Sequence, residues 1–381
     1  MTQVEAIKPR VVHIITGLDT GGAEMMLYKL LQALSKEEVE SAVISLMSPG
    51  PIAEKIDSLG IKVHSLELKQ GGLPGFRELY KLMALVRDFK PTVIQGWMYH
   101  GNLAALIASF IMLRKMRLIW NIRQTIYSLP NEKKVTRWLI KLGALLSRVP
   151  DQIIYNSYVS VEQHEQLGFH QRHRVVVFNG FDVQQFRPDD EAKQSVREEL
   201  ALPNGAVLIG KISRFHPMKD HATLLQAASL VLKQKHDAYF LFAGREMTTE
   251  NMELASLIDS MGLGRHVFLM GERTDVPRLM AALDVSVSSS AWGEGFPNAV
   301  GEAMACGVPC VVTDVGDSAR VVADWGRVIS AKNPEAMASS IIALLTLGDG
   351  DKEHLATMAR ERVRKNFSLD AIAQNYLELY R

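Results

Sequence analysis

Short β-branched apolar runs alternate with amphipathic segments along nearly the whole chain, and this alternation constrains the fold most. Val11–Ile15, Ser41–Met47, Lys62–Leu66, Thr92–Gly96, Leu118–Ile122 and Gln152–Asn156 read as strands. The first is followed by a helix with Leu27, Leu30, Leu31 and Leu34 on one side. Other helices are expected over Ile52–Leu59, Gly75–Phe89, Asn102–Met112 and Val135–Leu146. Strands joined through helices lie parallel, with helices on both faces of the sheet. The pattern restarts with strands Ala206–Ser213, Ala238–Ala243, His266–Met270, Val285–Ser289 and Pro309–Thr313. Helices His221–Lys233, Met252–Met261 and Asp275–Ala282 separate them, and helices run to the end with a break at Gly348-Asp349-Gly350.

The expected fold class is therefore α/β, with two doubly wound, Rossmann-like domains. A length of 381 residues suits two domains. Boundaries are expected at 1–183, 184–366 and 367–381, with a polar connector over Gln184–Glu199. With 47% hydrophobic and 22% charged residues, the chain has enough apolar material for two cores. A net charge of +1 gives no nucleic-acid-like bias, so no nucleic-acid partner is expected. Through Gly180, however, 22 Lys and Arg face 15 Asp and Glu, an excess of seven positive charges that the remainder reverses. Cys306 and Cys310 fit neither a disulfide framework nor a four-ligand zinc site, which makes the cytoplasm the default compartment. The N-terminus shows no apolar signal core. The longest near-continuous apolar run, Leu103–Leu113, is far short of the roughly 20 residues of a membrane span.

The stretch from Ser288 to Asp314 carries the strongest chemical signal. A strand ends in serines, a Gly/Pro loop follows, and a small-residue helix begins near Asn298. Loop amides and a helix N-terminus suit an anion. Glu302, one turn inside that helix, suits hydroxyls, and Glu294 lies eight positions before it. Anion plus hydroxyls describes a nucleotide or nucleotide sugar. Two buried-side carboxylates among Gly and Pro are costly without partners. Paired carboxylates also occur in glycosidases, but a hydrolase leaves the phosphate-ready loops and cations unexplained. Other strand ends add candidates. Gly21-Gly22 after the first strand fits a phosphate loop, or a turn needing positive φ. His100 follows another strand, and Asn121 and Arg123 a third. Arg214 and Lys219, five apart after the first strand of the second half, can bracket a diphosphate. Gly244-Arg245 and Gly271-Glu272-Arg273 end two more strands; the backbone there can hold a nucleobase, while Arg245 and Arg273 also fit a solvated surface. Asp349-Gly350-Asp351 is the one D-x-D string, and it is far from any strand end.

The run E-G-F-P-N-A-V-G-E-A-M-A-C-G-V-P-C-V-V-T-D resembles the E-x(7)-E signature of family 4 glycosyltransferases, and the resemblance implies their GT-B fold, two facing doubly wound, Rossmann-like domains with a central cleft. G-G-A-E after the first strand and the Arg–Lys pair match the same family, so the resemblance spans nearly the whole chain. It implies a retaining, metal-independent sugar transfer with no cofactor, the nucleoside-diphosphate sugar being a substrate. In that reading His100, Arg214, Lys219 and Glu294 serve catalysis. Gly21, Gly22, Gly295, Phe296, Pro297, Asn298, Ala299 and Glu302 bind the donor, with Glu302 on the ribose. Gly244, Arg245 and Arg273 lie by the base, and the last helix, Leu369–Tyr380, crosses back to the first domain. This sequence has F-P-N where many members have F-G, and Gly316-Asp317-Ser318-Ala319-Arg320 lacks the glutamate of a common G-G-x-x-E turn.

A UDP-sugar is the first expectation for the donor and GDP-mannose the second. The resemblance implies a lipid-linked saccharide acceptor, as in bacterial surface-polysaccharide assembly. Between Arg114 and Arg148 nine basic residues face one acid, Glu132, with Trp120, Tyr127 and Trp138 interleaved. Such a stretch fits an anionic membrane surface, or a core helix with a solvated basic face. The expected location is the cytoplasm, peripheral on the inner face of the cytoplasmic membrane. The competing readings are a GT-B nucleotide-sugar epimerase or phosphorylase with a soluble substrate, and a non-catalytic sugar-nucleotide-binding subunit.

Overall fold

A computed structural model of the protein describes residues 8–37, 39–69, 75–112 and 116–381. The chain forms two compact units, one running to Gly180 and resuming over Leu369–Arg381, the other Phe181–Ser368.

Unit 1 runs β1 (Arg10–Ile15), α1 (Gly22–Leu34), β2 (Glu40–Met47), α2 (Pro51–Asp57), β3 (Lys62–Leu68), α3 (Phe76–Phe89), β4 (Val93–Trp97) and α4 (Met98–Ile111). It continues with β5 (Arg117–Ile122), α5 (Lys134–Leu146), β6 (Gln152–Tyr155), α6 (Tyr158–Gln166) and β7 (Arg174–Val176). The strands form one parallel sheet in the order β3-β2-β1-β4-β5-β6-β7. Both faces are covered, which is why β1 and β4 are apolar runs rather than alternating ones.

Unit 2 runs α7 (Asp190–Glu199), β8 (Val207–Ile212), α8 (His221–Leu232), β9 (Ala238–Ala243), α9 (Met252–Ser260), β10 (Val267–Leu269), α10 (Val276–Ala281) and β11 (Val285–Ser288). Next come α11 (Asn298–Ala305), β12 (Cys310–Thr313), α12 (Ser318–Val322), β13 (Gly326–Ile329), α13 (Pro334–Leu345) and α14 (Asp349–Asn366). Its parallel sheet has the order β10-β9-β8-β11-β12-β13.

The final helix, α15 (Leu369–Tyr380), belongs to unit 1. It buries Ile372, Ala373, Tyr376, Leu377 and Tyr380 in the cluster that holds the leucine stripe of α1. Its tyrosines also meet polar groups on the sheet. Tyr380 donates to Gln95 at 2.5 Å, and Asn121 Nδ2 and Arg123 Nη1 reach the Tyr376 hydroxyl at 2.9 and 3.0 Å. Asn121 is fully buried, so Asn121 and Arg123 anchor this helix rather than presenting themselves to a ligand.

Several details differ from the sequence reading. The connector over Gln184–Glu199 contains a helix, α7, because Asp189 caps Ala192 N at 2.9 Å and Ala192 and Val196 bury one stripe. The segment after Pro309–Thr313 holds a further strand, β13, which pairs with β12. Asp349-Gly350-Asp351 forms the first turn of α14 instead of a loop. Among the described residues no helix is long and apolar enough to cross a membrane.

Candidate functional site

In each unit the strand order reverses once, between β1 and β4 in unit 1 and between β8 and β11 in unit 2. Connections leave such a pair toward opposite faces, which opens a crevice at the carboxyl ends of the strands where ligands bind. Most of the candidate residues lie at these two points.

In unit 2 the chain leaves β8 through Ser213–Asp220. A single 3-10 turn, Pro217–Lys219, is followed by Asp220 at φ 46°, whose carboxylate caps α8 through Thr223 N at 3.2 Å. This tight reversal aims Lys219 at Glu294, which leaves the β11 side, and Lys219 Nζ lies 2.5 Å from Glu294 Oε1. Ser290 Oγ donates to the same oxygen at 2.6 Å. Burial acts to raise the Glu294 pKa, but the Lys219 charge, the bonds from Lys219 and Ser290, and Lys211 outweigh it and leave it lowered. The carboxylate is ionised and acts as the counter-ion of Lys219.

The Glu294 loop is held from outside. Gly316, at φ 63°, brings the turn after β12 so close that a Cβ there would lie 2.5 Å from the Glu294 carbonyl oxygen. Asp317 N donates to Gly295 O at 2.9 Å. Gly316-Asp317 thus secures the loop by backbone contact. Gly295 and Pro297 lead into α11, whose N-cap residue Pro297 makes no side-chain cap bond, and its N-terminal positive end borders the recess. That recess, about 40 Å³, is bordered by Lys211, Lys219, Glu294, Asn298 and Ala299 among others. Glu302 sits half-buried one turn into α11. Phe296 is a core residue, stacked on Phe181 at 5.8 Å and edge-on to Phe367 at 5.5 Å. What it offers a ligand is backbone.

A larger cavity of about 270 Å³ adjoins Arg214 and is lined by Ile212, Gly244, Arg245, Glu272, Arg273 and Val276. Gly244, at φ 139°, lies where a Cβ would come within 2.2 Å of Ser213 O, so β8 and β9 end side by side. Arg214 and Arg245 are exposed at its edge. Arg273 is otherwise engaged: it binds Asp275 at 2.7 and 2.8 Å and Glu199 at 2.9 Å, and these bonds raise its pKa. Its fork serves an ion-pair network beside the cavity.

In unit 1, Gly21 precedes α1 with φ −150°, and neither it nor Gly22 has positive φ. The pair is therefore not explained by a left-handed turn; the Glu24 carboxylate lies over Gly21, where a Cβ would meet its Oε2 at 2.3 Å. His100 lies within the first turn of α4 rather than in a loop, because helix begins directly after β4 at Met98, φ 61°. Gly96 and Gly101 permit this. A Cβ at Gly96 would lie 2.4 Å from Asn102 Cα, and one at Gly101 would lie 2.4 Å from Ile14 O. His100 is exposed, and desolvation by its neighbours lowers its pKa.

The sequence reading passed over Lys211. This lysine is 2% exposed, one residue before the carboxyl end of β8. Its Nζ donates to Ser289 Oγ at 2.8 Å, and Ser289 Oγ lies 2.9 Å from the carbonyl oxygens of both Lys219 and Asp220. Burial, reinforced by Lys219, lowers its pKa to about 7. A charged residue inside V-L-I-G-K-I, where both sheet faces are covered, is the signal that marks it.

The model for glycosyl transferases group 1 matches residues 192–365, and that for glycosyltransferase family 4 matches residues 20–185. The chain belongs to the GT-B glycosyltransferases of the family 4 type. It is similar to the lipopolysaccharide core biosynthesis mannosyltransferase LpsB of Rhizobium meliloti, 29% identical over 54% of this chain and 60% of that one. The chain thus spans less than two thirds of that relative's length. A Campylobacter jejuni protein, N,N'-diacetylbacillosaminyl-diphospho-undecaprenol alpha-1,3-N-acetylgalactosaminyltransferase, is 23% identical over 95% of this chain and 97% of its own. Among solved structures, Anabaena HepE in complex with UDP aligns with a TM-score of 0.82 at 22% identity, over 97% of this chain and 99% of that one. The two Rossmann-like domains of this family type are the two units described above.

Proposed function

We propose that the protein is a retaining, metal-independent glycosyltransferase that moves a sugar from a nucleoside-diphosphate sugar to a lipid-linked saccharide in surface-polysaccharide assembly. One observation carries the reading: Arg214, Lys219, Glu294 and the start of α11 gather at the β8–β11 switch point, beside a cavity of about 270 Å³. Cations and a helix N-terminus neutralise a leaving diphosphate. Glu302 is placed one turn further on for ribose hydroxyls, and Gly244-Arg245 borders the space for the base. Glu294, ionised and held by Lys219 and Ser290, faces the sugar and steadies positive charge developing there. In unit 1, Gly21, Gly22 and His100 keep the donor and sugar roles that the family resemblance implies. The family's description lets the departing phosphate accept the acceptor's proton, so no side-chain nucleophile is required.

A UDP-sugar fits first, since the HepE structure holds UDP, and GDP-mannose second, since LpsB is named a mannosyltransferase. The lipid-linked acceptor is supported by the diphospho-undecaprenol in the name of the Campylobacter relative. The outer face of α5 fits an anionic bilayer: Trp138 and Leu145 are 59% and 75% exposed, among exposed Lys133, Lys134, Lys141 and Arg148. Arg114 and Lys115, which open that basic stretch, lie outside the described residues. A peripheral position on the inner face of the cytoplasmic membrane follows from this reading.

The test supplies UDP- and GDP-sugars with a polyprenyl-diphosphate-linked saccharide in anionic vesicles. Sugar transfer that requires both components and stops in Lys219→Ala is the expected result. Equal turnover without acceptor supports an epimerase or phosphorylase instead, and donor binding without any turnover supports a non-catalytic subunit.

A further inference from the structure

The ion pair at the donor site creates an electrostatic difficulty. Lys219 is placed to neutralise a diphosphate, yet its charge is already matched by Glu294 at 2.5 Å. The pair alone presents no net charge. Lys211 hydrogen-bonds to no carboxylate among the described residues; its Nζ donates to the neutral Ser289 hydroxyl. It borders the same recess as Lys219, Glu294 and the first residues of α11. Resting on the donor-site reading above, we propose that Lys211 adds a buried positive charge to this site, beside Arg214 and the Lys219–Glu294 pair, and acts as a positioning residue for the donor diphosphate.

Two features of the geometry support this. First, three charges in the recess, Lys211, Lys219 and Glu294, sum to +1 only when Lys211 is protonated. Because the ammonium is buried in β8, its field reaches the recess with little screening by water. Second, Lys211 holds Ser289, and Ser289 holds the carbonyl ends of Lys219 and Asp220. The same contact therefore sets the reversal that aims Lys219. An apolar residue here would fill the space but supply neither the charge nor the hold on Ser289.

The groups facing Lys211 decide when it is charged. Burial and Lys219 disfavour its ammonium, whereas Glu294 and Asp220 favour it, and the balance lies near neutrality. His221 is held neutral by burial at about 2, so it does not titrate in the same range. A bound diphosphate adds negative charge and retains the proton. Donor affinity is then highest below pH 7 and falls as the pH rises through the free protein's Lys211 pKa. A nucleotide sugar is the suitable probe, because its esterified diphosphate does not change charge over this range.

The experiment is calorimetric titration of the whole protein with UDP-glucose, and with GDP-mannose as second probe, from pH 6 to 8.5. Wild-type protein is compared with Lys211→Met, an unbranched residue of similar length. Wild-type affinity is expected to fall severalfold across the range. Lys211→Met is expected to bind on the order of tenfold more weakly at pH 6, with a flat profile and an unlowered thermal midpoint. A flat wild-type profile, or a Lys211→Met protein that binds with wild-type affinity and pH dependence, overturns the role of Lys211 and leaves the donor site standing. Wild-type protein that binds neither probe overturns both.

Discussion

Removing the Glu294 carboxylate leaves two ammonium groups, Lys219 and Lys211, in one recess with no negative charge between them. At 2.5 Å and an effective dielectric constant of about 20, the lost attraction is roughly 6–7 kcal/mol before solvation is considered. Releasing the carboxylate from its desolvated position offsets part of this. Breaking a fully buried pair typically costs about 3–5 kcal/mol. Lys219 keeps 21% of its side chain exposed, so water screens what remains, and Glu294→Ala is expected to destabilise unit 2 by about 2–3 kcal/mol. Adding Lys211→Met to that variant removes one of the two repelling charges, and should restore about 1 kcal/mol. The chain has two units, so a single unfolding midpoint mixes them. Native-state hydrogen exchange of the β11 and β12 amides reads the effect locally. Exchange free energies within about 0.5 kcal/mol of wild type in Glu294→Ala, or further loss on adding Lys211→Met, refute the charge arrangement described here.

Three further outcomes are expected. Gly301→Ala places a Cβ 2.1 Å from the Phe181 ring; overpacking of this kind costs about 1–3 kcal/mol, and an unchanged melting profile of unit 2 contradicts the Phe181–Phe296–Phe367 packing. His13 and His164 are buried, and burial lowers their pKa values to about 3 and 4. The unfolded chain binds protons there first, so their contribution is complete above pH 6.5 and declines as the pH falls toward 4. At pH 5 the loss is about 2 kcal/mol for each, read as a lower exchange free energy of unit 1 amides than at pH 7 once intrinsic exchange is divided out; an exchange free energy independent of pH speaks against it. His100 is exposed, so His100→Ala should leave the thermal midpoint unchanged while lowering kcat at least tenfold; a wild-type rate removes it from the reaction.

The two sheets were legible because parallel strands covered on both faces are buried nearly throughout and rich in apolar residues, as β1, β4 and β9 are. The elements that escaped are short or polar. β7 has three residues, and β13 exposes Arg327 and Val328. α7 buries only Ala192 and Val196. The start of α4 was hidden for another reason. Its cap is Trp97, with no side-chain bond, and the turn is made by a left-handed methionine, which no propensity favours. At the site, Arg214, Lys219, Glu294 and Glu302 were visible through spacing and family resemblance. Lys211 was not, since a single lysine in a strand reads as an outward position until the neighbouring strands β9 and β11 are in place. Arg273 was readable as a residue at a strand end, but its bond to Glu199 was not, because that bond depends on α7 lying beside α10.

Hydrogen–deuterium exchange with and without a saturating UDP- or GDP-sugar tests the donor-site assignment most directly. Protection concentrated in 213–220, 244–245 and 293–302 of unit 2, and absent in Lys219→Ala, is the predicted result. Binding that leaves those three segments unprotected, or no protection with any nucleotide sugar, contradicts it.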